Sequence, residues 1–295
     1  MPALHEPVLV REVVEVLDPA RGGLFVDCTV GLGGHSRALL EAGASRVLGL
    51  DRDPDALRLA AEALAPFGDR VELVHADYRD LVRVLDERGI EAAAGALADL
   101  GVSSMQLDAE GRGFSFRRDE PLDMRMDRSQ GPTLADRLAT VREEELADVI
   151  FQFGEERYSR RIARSIVQAR DAGEVSTTGE LARVVRRATP RRGHQRIDPA
   201  TRTFQALRIW VNRELEGLDA FLAAAVRRLM IGARLAVISF HSLEDRIVKH
   251  VFRALGRGEA AVRILTKRPI EPAEDEVARN PRARSAKLRA VERLA

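Results

Sequence analysis

With one cysteine in 295 residues, Cys28, the chain has no intrachain disulfide framework and no cysteine-built zinc cluster. Its six histidines form no HExxH pair, so no metal is expected. Long apolar runs are absent too, since no stretch approaches the roughly 18 uncharged residues of a membrane span. The opening MPALHEPVLVREVVEVL places acids and a proline where a signal peptide needs a basic and then an apolar segment, so a cytoplasmic protein is expected. Lysine is nearly missing. Lys249, Lys267 and Lys287 stand against 44 arginines, although the net charge is only +1.

What is present is enough for a full core. At 45% hydrophobic and 32% charged residues, the chain reads as globular, with one large domain and a smaller one. Arginine offers planar, bidentate phosphate contacts and stacks on bases. A heat-adapted or codon-biased source explains the total equally well, and only two asparagines fit that. Local clustering says more. Residues 183–202 hold seven arginines and one acid, Asp198, and residues 278–289 hold Arg279, Arg282, Arg284, Lys287 and Arg289 with no acid. Two such patches on a nearly neutral chain point to a nucleic-acid partner.

The first hundred residues contain four short apolar runs, at about 23–28, 46–50, 71–75 and 95–100, each ending at or just before an acid. The acids are Asp27 in LFVDCTVGLGGHS, Asp51 in VLGLDRDP, Asp77 in VELVHADY and Asp99 in ALADLGVSS. Helical patterns at about 35–42, 53–65 and 79–88 alternate with them, which predicts an α/β, mostly parallel, Rossmann-like sheet with helices on both faces. Carboxylates lined along such a sheet's carboxyl edge suit a nucleoside-shaped ligand. Residues 108–132, rich in Gly, Pro and charge, then read as a long functional loop. Three segments between 141 and 188 carry helical spacing, with Ser176, Thr177 and Thr178 as cap candidates before Glu180. One further helix is expected from about Thr203 to Leu229, then a strand at 233–240, a helix at 243–254 and β-like runs VRILT and KLRAVER. The expected division is a discontinuous domain of residues 1–108 and 206–295, with an inserted helical substrate-recognition domain at 109–205.

The turn Thr29-Val30-Gly31-Leu32-Gly33-Gly34-His35 lies between a strand and a helix, where glycines let backbone approach a ligand. A dinucleotide site would want GxGxxG, and this turn departs from that spacing. S-adenosylmethionine has no phosphate and needs instead room for its methionyl part, a ribose acid and a cover for adenine. Asp51 suits the ribose hydroxyls of either ligand class. Asp77 with Tyr78 suits the adenine amine and ring, and Asp99 falls beside the expected reacting carbon. Each acid taken singly also fits a helix cap.

Longer motifs carry a resemblance. DCTVGLGGHS, DLGVSS with Gln106 following, GFSFRRDEPLDMRMD, TRTFQALRIWVNREL, ISFHSLEDRIVK and NPRARSAKLR resemble the motif set of the bacterial ribosomal RNA small subunit methyltransferase H family, also called MraW. The likeness runs from the HEPVL at residues 5–9 to the C-terminus. It implies a class I methyltransferase fold with a helical insertion, and transfer of a methyl group from S-adenosylmethionine to the exocyclic N4 of a cytosine in the decoding region of 16S rRNA. By the same resemblance, cofactor contacts fall on Gly33, Gly34, His35, Asp51, Tyr78, Asp99 and Gln106. The expected partner is 16S rRNA within the small ribosomal subunit, with no membrane, and the sequence does not decide between a monomer and a homodimer.

The N4 lone pair of cytosine is delocalised into the ring, so the amine has to be held and pyramidalised in line with methyl and sulfur. Asp99 is the first candidate to accept from that amine. Other amino-methyltransferases resemble one another in an Asp/Asn/Ser-Pro-Pro-aromatic sequence here, whereas this chain has Asp99-Leu100-Gly101-Val102. Ser103 and His241 are therefore carried as further catalytic candidates, although a histidine there equally suits a cap. Cys28 follows a buried strand and is a poor nucleophile for carbon methylation.

Residues 114–127 place Phe114, Phe116, Arg117, Arg118, Asp123 and Arg125 beside the methyl-transfer edge, which suggests a substrate-gripping segment or lid that stacks a flipped base. A linker packed on the sheet is the alternative. Trp210 reads as core. Arg191 and Arg192 in the basic tract are the candidates for wider rRNA contact. Two other classes remain open at this point: a nicotinamide-dependent oxidoreductase, and a ribosome-assembly factor with a vestigial site.

Overall fold

The computed structural model describes residues 7–190, 198–257 and 262–295. Arg191 and Arg192 lie outside the described residues, as do the first two residues of the HEPVL motif. By contacts the chain divides into one unit made of residues 1–101 and 215–295 and a second made of residues 102–214.

The first unit is built on a seven-stranded sheet: β1 (Leu24–Asp27), β2 (Arg46–Asp51), β3 (Val71–His75), β4 (Ala93–Asp99), β5 (Leu229–Ser239), β6 (Val262–Ile264) and β7 (Lys287–Arg293). Their order is β3-β2-β1-β4-β5-β7-β6. The first five strands run parallel, and β7 runs antiparallel between β5 and β6. The apolar runs do not alternate with polar residues because helices cover both faces. On one face α1 (Val10–Leu17), α2 (Gly34–Glu41) and α3 (Pro54–Leu64) pack Leu17, Leu39, Leu40 and Leu64 against Phe25, Val47, Leu97 and Ile238. On the other, α4 (Leu81–Asp86) joins two later helices in covering Val26, Leu48, Leu50, Ala96, Leu235 and Val237. Neighbouring residues such as Phe25 and Val26, or Ala96 and Leu97, therefore enter opposite cores, as the two-residue period of a strand requires.

In the second unit, α5 (Ser104–Asp108) is followed by a long irregular stretch and then by α6 (Leu134–Thr140), α7 (Glu143–Gly154), α8 (Ser159–Asp171), α9 (Thr178–Ala188) and α10 (Ala200–Asn212). Their apolar stripes close on a core of their own, centred on Leu134, Leu146, Ile150, Ile162, Leu181 and Leu207. Thr177 caps α9, its hydroxyl accepting from the Glu180 N–H while the Glu180 carboxylate accepts from the Thr177 N–H, so the cap expected from Ser176-Thr177-Thr178 is present.

The single helix expected from Thr203 to Leu229 is instead two. Arg213 takes a left-handed conformation at φ 52° and closes α10, and Gly217 at φ 69° opens α11 (Leu218–Arg227). The apolar periodicity continues across the break, which is why a pattern reading joins the two. Strand β5 begins four residues earlier than its expected start at 233, because a bulge separates the Ala93–Leu229 pair from the regular ladder at Gly95–Arg234. The last helices are α12 (Ser242–Leu255), which completes the second face of the sheet, and α13 (Glu274–Arg279).

Candidate active site

Because β1, β2, β4 and β5 are parallel, Asp27, Asp51, Asp99 and Ser239 all fall at one edge of the sheet. The glycine turn after β1 lies on this edge. Gly33 is the cap of α2 with φ 82°, and a Cβ there would sit 3.0 Å from the Leu64 side chain; a Cβ on Gly34 would sit 2.7 Å from Pro7. Gly33 needs glycine's freedom at positive φ, and Gly34 has no space for a Cβ.

Asp51 closes the loop from the other side. Its Oδ2 accepts from the Gly31 N–H at 2.8 Å and its Oδ1 from the Asp53 N–H at 2.9 Å. Burial disfavours its charge and prevails over those two bonds, so its pKa is pushed up to about 6. Each oxygen keeps further lone-pair capacity, so the turn and a pair of hydroxyls can share one carboxylate.

Beneath the turn lies a second polar cluster. Asp27, 1% exposed, accepts from the Ser36 hydroxyl at 2.7 Å and the Thr29 N–H at 3.2 Å. Burial raises its pKa above the ordinary carboxylate range, against the pull of His35 and Ser36. The Thr29 hydroxyl accepts from the Asp99 N–H at 2.6 Å, which pins the tip of β4. His35, also buried, places Nε2 3.5 Å from Asp99 Oδ2. Burial favours neutral imidazole, but the Asp99 and Asp27 carboxylates outweigh it and raise the His35 pKa. Asp99 Oδ1 is buried and has no hydrogen-bond partner among the described residues. An acceptor left in that state costs about 1–3 kcal/mol, which a donor brought by a ligand would recover. Sequence places Asp27 among the edge carboxylates and Thr29 in the glycine turn without giving either a role, and Ser36, in the same DCTVGLGGHS motif, is the residue it misses.

Tyr78 is half-buried and rests on Phe221 with ring centroids 4.7 Å apart, which fixes the plane of its ring. Asp77 differs from its expected role. Its carboxylate accepts from Arg79 Nε and from a second Arg79 guanidinium nitrogen, each at 2.7 Å, and from the Arg79 N–H at 3.0 Å. Burial alone would raise its pKa, but Arg79, with Arg52 at 3.6 Å, holds it below the ordinary range. Asp77 is thus a cap and ion-pair partner rather than an open acceptor for adenine.

Two of the three catalytic candidates are also caps. Ser103 opens α5 with its hydroxyl accepting from the Gln106 N–H at 3.2 Å, and Gln106 Oε1 accepts from the Ser103 N–H at 3.1 Å. Gln106, which apart from the resemblance reads as a loop residue, is the third residue of that helix and is buried. His241 opens α12. Its Nδ1 accepts from the Glu244 N–H at 3.4 Å, and its Nε2 lies 3.2 Å from Glu244 Oε1. Asp99 is the candidate that keeps an open oxygen. Cys28 is buried, and burial beside Asp27 drives its thiol well above the ordinary range, so no thiolate is offered.

The stretch expected to stack a base or act as a lid is packed into the second unit. Phe114 is 7% exposed, and Phe116 meets Phe204 edge-on at 4.8 Å with the Arg186 guanidinium 5.5 Å from its ring centre. Gly113 donates to Glu120, Glu120 to Thr178 and Met126 to Asn212, while the Asn212 amide donates to the Met124 carbonyl. Both rings are thus taken by the core, and Arg117 stays exposed. Trp210 is half-buried against the same core with Arg137 over its ring at 4.9 Å, in keeping with its reading as core.

The sheet order and the acid-tipped strands are those of the class I S-adenosylmethionine-dependent methyltransferases, with an inserted helical region between β4 and β5. Residues 2–294 match the model of the MraW methylase family, and the chain belongs to that family. It is 53% identical over 290 residues to the ribosomal RNA small subunit methyltransferase H of Sorangium cellulosum, covering 98% of this chain and 91% of that one. It is likewise 53% identical over 292 residues to the protein of that name from a Cyanothece species, covering 99% and 95%. The nicotinamide alternative falls with this assignment. Among the described residues, no helix is long and apolar enough to cross a membrane.

Proposed function

We propose that this chain transfers the methyl group of S-adenosylmethionine to the exocyclic N4 of a cytosine in the decoding region of 16S rRNA, acting in the cytoplasm on the small ribosomal subunit. Likeness to relatives named for small-subunit rRNA supports the substrate. The chemistry rests on one observation, the buried and unpartnered Oδ1 of Asp99 at the tip of β4. A hydrogen-bond donor is wanted there, and a primary amine supplies one.

The edge suits the cofactor by its own chemistry. Asp51 would take the two ribose hydroxyls, the turn at Gly33 and Gly34 would offer bare backbone to the methionyl chain, and Tyr78, backed by Phe221, would cover the adenine. Gln106 is assigned to the same ligand by family likeness. When bound, the cofactor supplies an electrophilic methyl group on a sulfonium. The chain's part is to position the amine and manage its proton. Asp99 Oδ1 accepts one amine hydrogen, which turns the nitrogen lone pair out of conjugation with the ring. After transfer the nitrogen carries a positive charge and sheds that proton to Asp99. His35, 3.5 Å from the other oxygen, steadies the carboxylate in the orientation that accepts it. Such a positioned base contributes about 10²–10⁴ in rate. Ser103 and His241 hold helix ends at this stage and are assigned no proton.

Asp99→Asn tests the reading on unmodified small subunits with labelled cofactor. The expected result is a fall in kcat of about 10²–10⁴. Activity within a few-fold of the parent would refute the role given to Asp99.

A further inference from the structure

The three lysines of this arginine-rich chain fall in one corner of the first unit. Lys249 is on α12, Lys267 follows β6, and Lys287 is the first residue of β7. Topology brings them together. β5 and β6 both run antiparallel to β7, so the end of β6, the start of β7 and the start of α12 all lie at the carboxyl edge that carries Asp99. Lys287, Arg289 and Val291 share the sheet face on which α12 lies, since Arg289 pairs with Asp245 at 2.6 Å and Val291 packs in the same core as Val248 and Phe252.

The corner has more cations than counter-charges. Residues 246–257 and 262–270 contain no acid at all. Asp245 is committed to Arg289 and Glu292 to Arg234 and Arg263, which leaves Glu271, just after the Ile270–Leu288 bridge, as one acid against five cations. Lys267, Arg268 and Arg253 are exposed, Lys249 and Lys287 half-exposed, and none of the five has an ion pair among the described residues. Elsewhere on the same unit, exposed arginines meet an acid one helical turn away, as Arg58 does Glu62, Arg83 does Glu87 and Arg279 does Asp275. A surface that withholds that pairing presents net positive charge to solvent.

We propose that this corner is a docking surface for the phosphate backbone of the RNA strand flanking the target cytosine. The partner rests on the rRNA reading above; on that edge the site lies beyond β5, away from the cofactor strands β1 and β2, and it is separate from the arginine tract of residues 183–202. The charges lie on rigid elements, a helix and two strand ends, and run from the carboxyl edge down α12, from Lys287 through Lys249 to Arg253. At 1.5 Å of rise per residue, Lys249 and Arg253 stand about 6 Å apart along the axis, close to one phosphate spacing. Lysine suits the task because its ammonium is a mobile point charge that follows a backbone without demanding bidentate geometry.

The test is a salt titration of binding to a fluorescent 16S rRNA fragment, comparing the parent with a variant carrying Lys249→Gln, Lys267→Gln, Arg268→Gln and Lys287→Gln. Four phosphate contacts at about 0.7 each lower the slope of log K against log salt by about 2.8, so the parent should lose about fiftyfold more affinity than the variant between 50 and 200 mM salt. Calorimetry with S-adenosylmethionine should give the parent's affinity, and a control with three Lys→Arg substitutions should keep the parent's slope. If the fourfold variant fails to fold, pairs of the substitutions carry the same test at half the change in slope. An unchanged slope, or a variant that loses binding to phosphatidylglycerol vesicles but not to RNA, would overturn the proposal. A parent that binds RNA with this slope yet transfers no methyl group would refute the enzymatic reading and leave this surface standing.

Discussion

Asp51 offers a sharp test because one side chain is given two measurable consequences. Burial pushes its pKa up to about 6, while the form that accepts from ribose hydroxyls is the carboxylate. Cofactor affinity should therefore be level above pH 6 and fall about tenfold per unit below it, each unit being 1.36 kcal/mol. Asp51→Asn removes a charge-assisted acceptor for two hydroxyls, worth about 2–4 kcal/mol in all, so the dissociation constant should rise about 30- to 700-fold and lose that acid limb. Stability of the unliganded protein should move the other way. A folded pKa raised from 3.8 to about 6 gives stability that is complete below the unfolded value and is lost as pH rises through the folded one. Across that window the parent should lose about 3 kcal/mol relative to Asp51→Asn, whatever offset the amide introduces at the Gly31 and Asp53 N–H groups. Isothermal calorimetry and denaturant unfolding, each run at several pH values, read the two effects. An acid limb that persists in the variant, or a stability difference that does not vary with pH, would refute the assignment.

Three further outcomes follow from the same geometry. Gly33→Ala forces a side chain onto φ 82° and to within 3.0 Å of Leu64, so unfolding free energy should drop by about 1–3 kcal/mol and cofactor affinity should fall with it; a variant as stable as the parent would contradict the strain. Cys28→Ala should retain methyl transfer within about twofold, since the buried thiol is neither nucleophile nor ligand, and loss of activity with the fold intact would reopen covalent chemistry. Asn212→Ala leaves the Met126 N–H and the Met124 carbonyl unpaired in the interior, at about 1–3 kcal/mol each, and proteolysis near residues 112–130 should accelerate; unchanged protection would mean that the stretch is fastened by other contacts.

The sheet was legible because its strands are uninterrupted apolar runs punctuated by carboxylates, a pattern that few other arrangements share. Asp51, Asp99 and the glycine turn could be placed from that alone, and Gln106 and His35 only through family motifs. Much of what the residues bond to was not legible. Ser103-x-x-Gln106 and His241-x-x-Glu244 are capping spacings, yet beside a reactive edge they invite a catalytic reading; both became helix ends. Asp77 precedes Tyr78 as an adenine site would want, but Arg79 two residues on takes its carboxylate. The break at Arg213 is set by a backbone angle that an arginine rarely adopts and that no periodicity reports. Phe114 and Phe116 looked available because their loop is polar. Phe116 is covered by residues far along the chain, Phe204 and Arg186, while bonds from Glu120 to Thr178 and from Asn212 to Met124 fasten the same stretch.

The central claim is that Asp99 presents an exocyclic amine of the small-subunit rRNA to an activated methyl group. Incubating unmodified small subunits with isotopically labelled S-adenosylmethionine, then digesting the RNA and mapping the labelled nucleoside by mass spectrometry, addresses it most directly. A single cytidine in the decoding region should carry the label on N4. Label on a ring carbon, or no label on RNA at all, would contradict it.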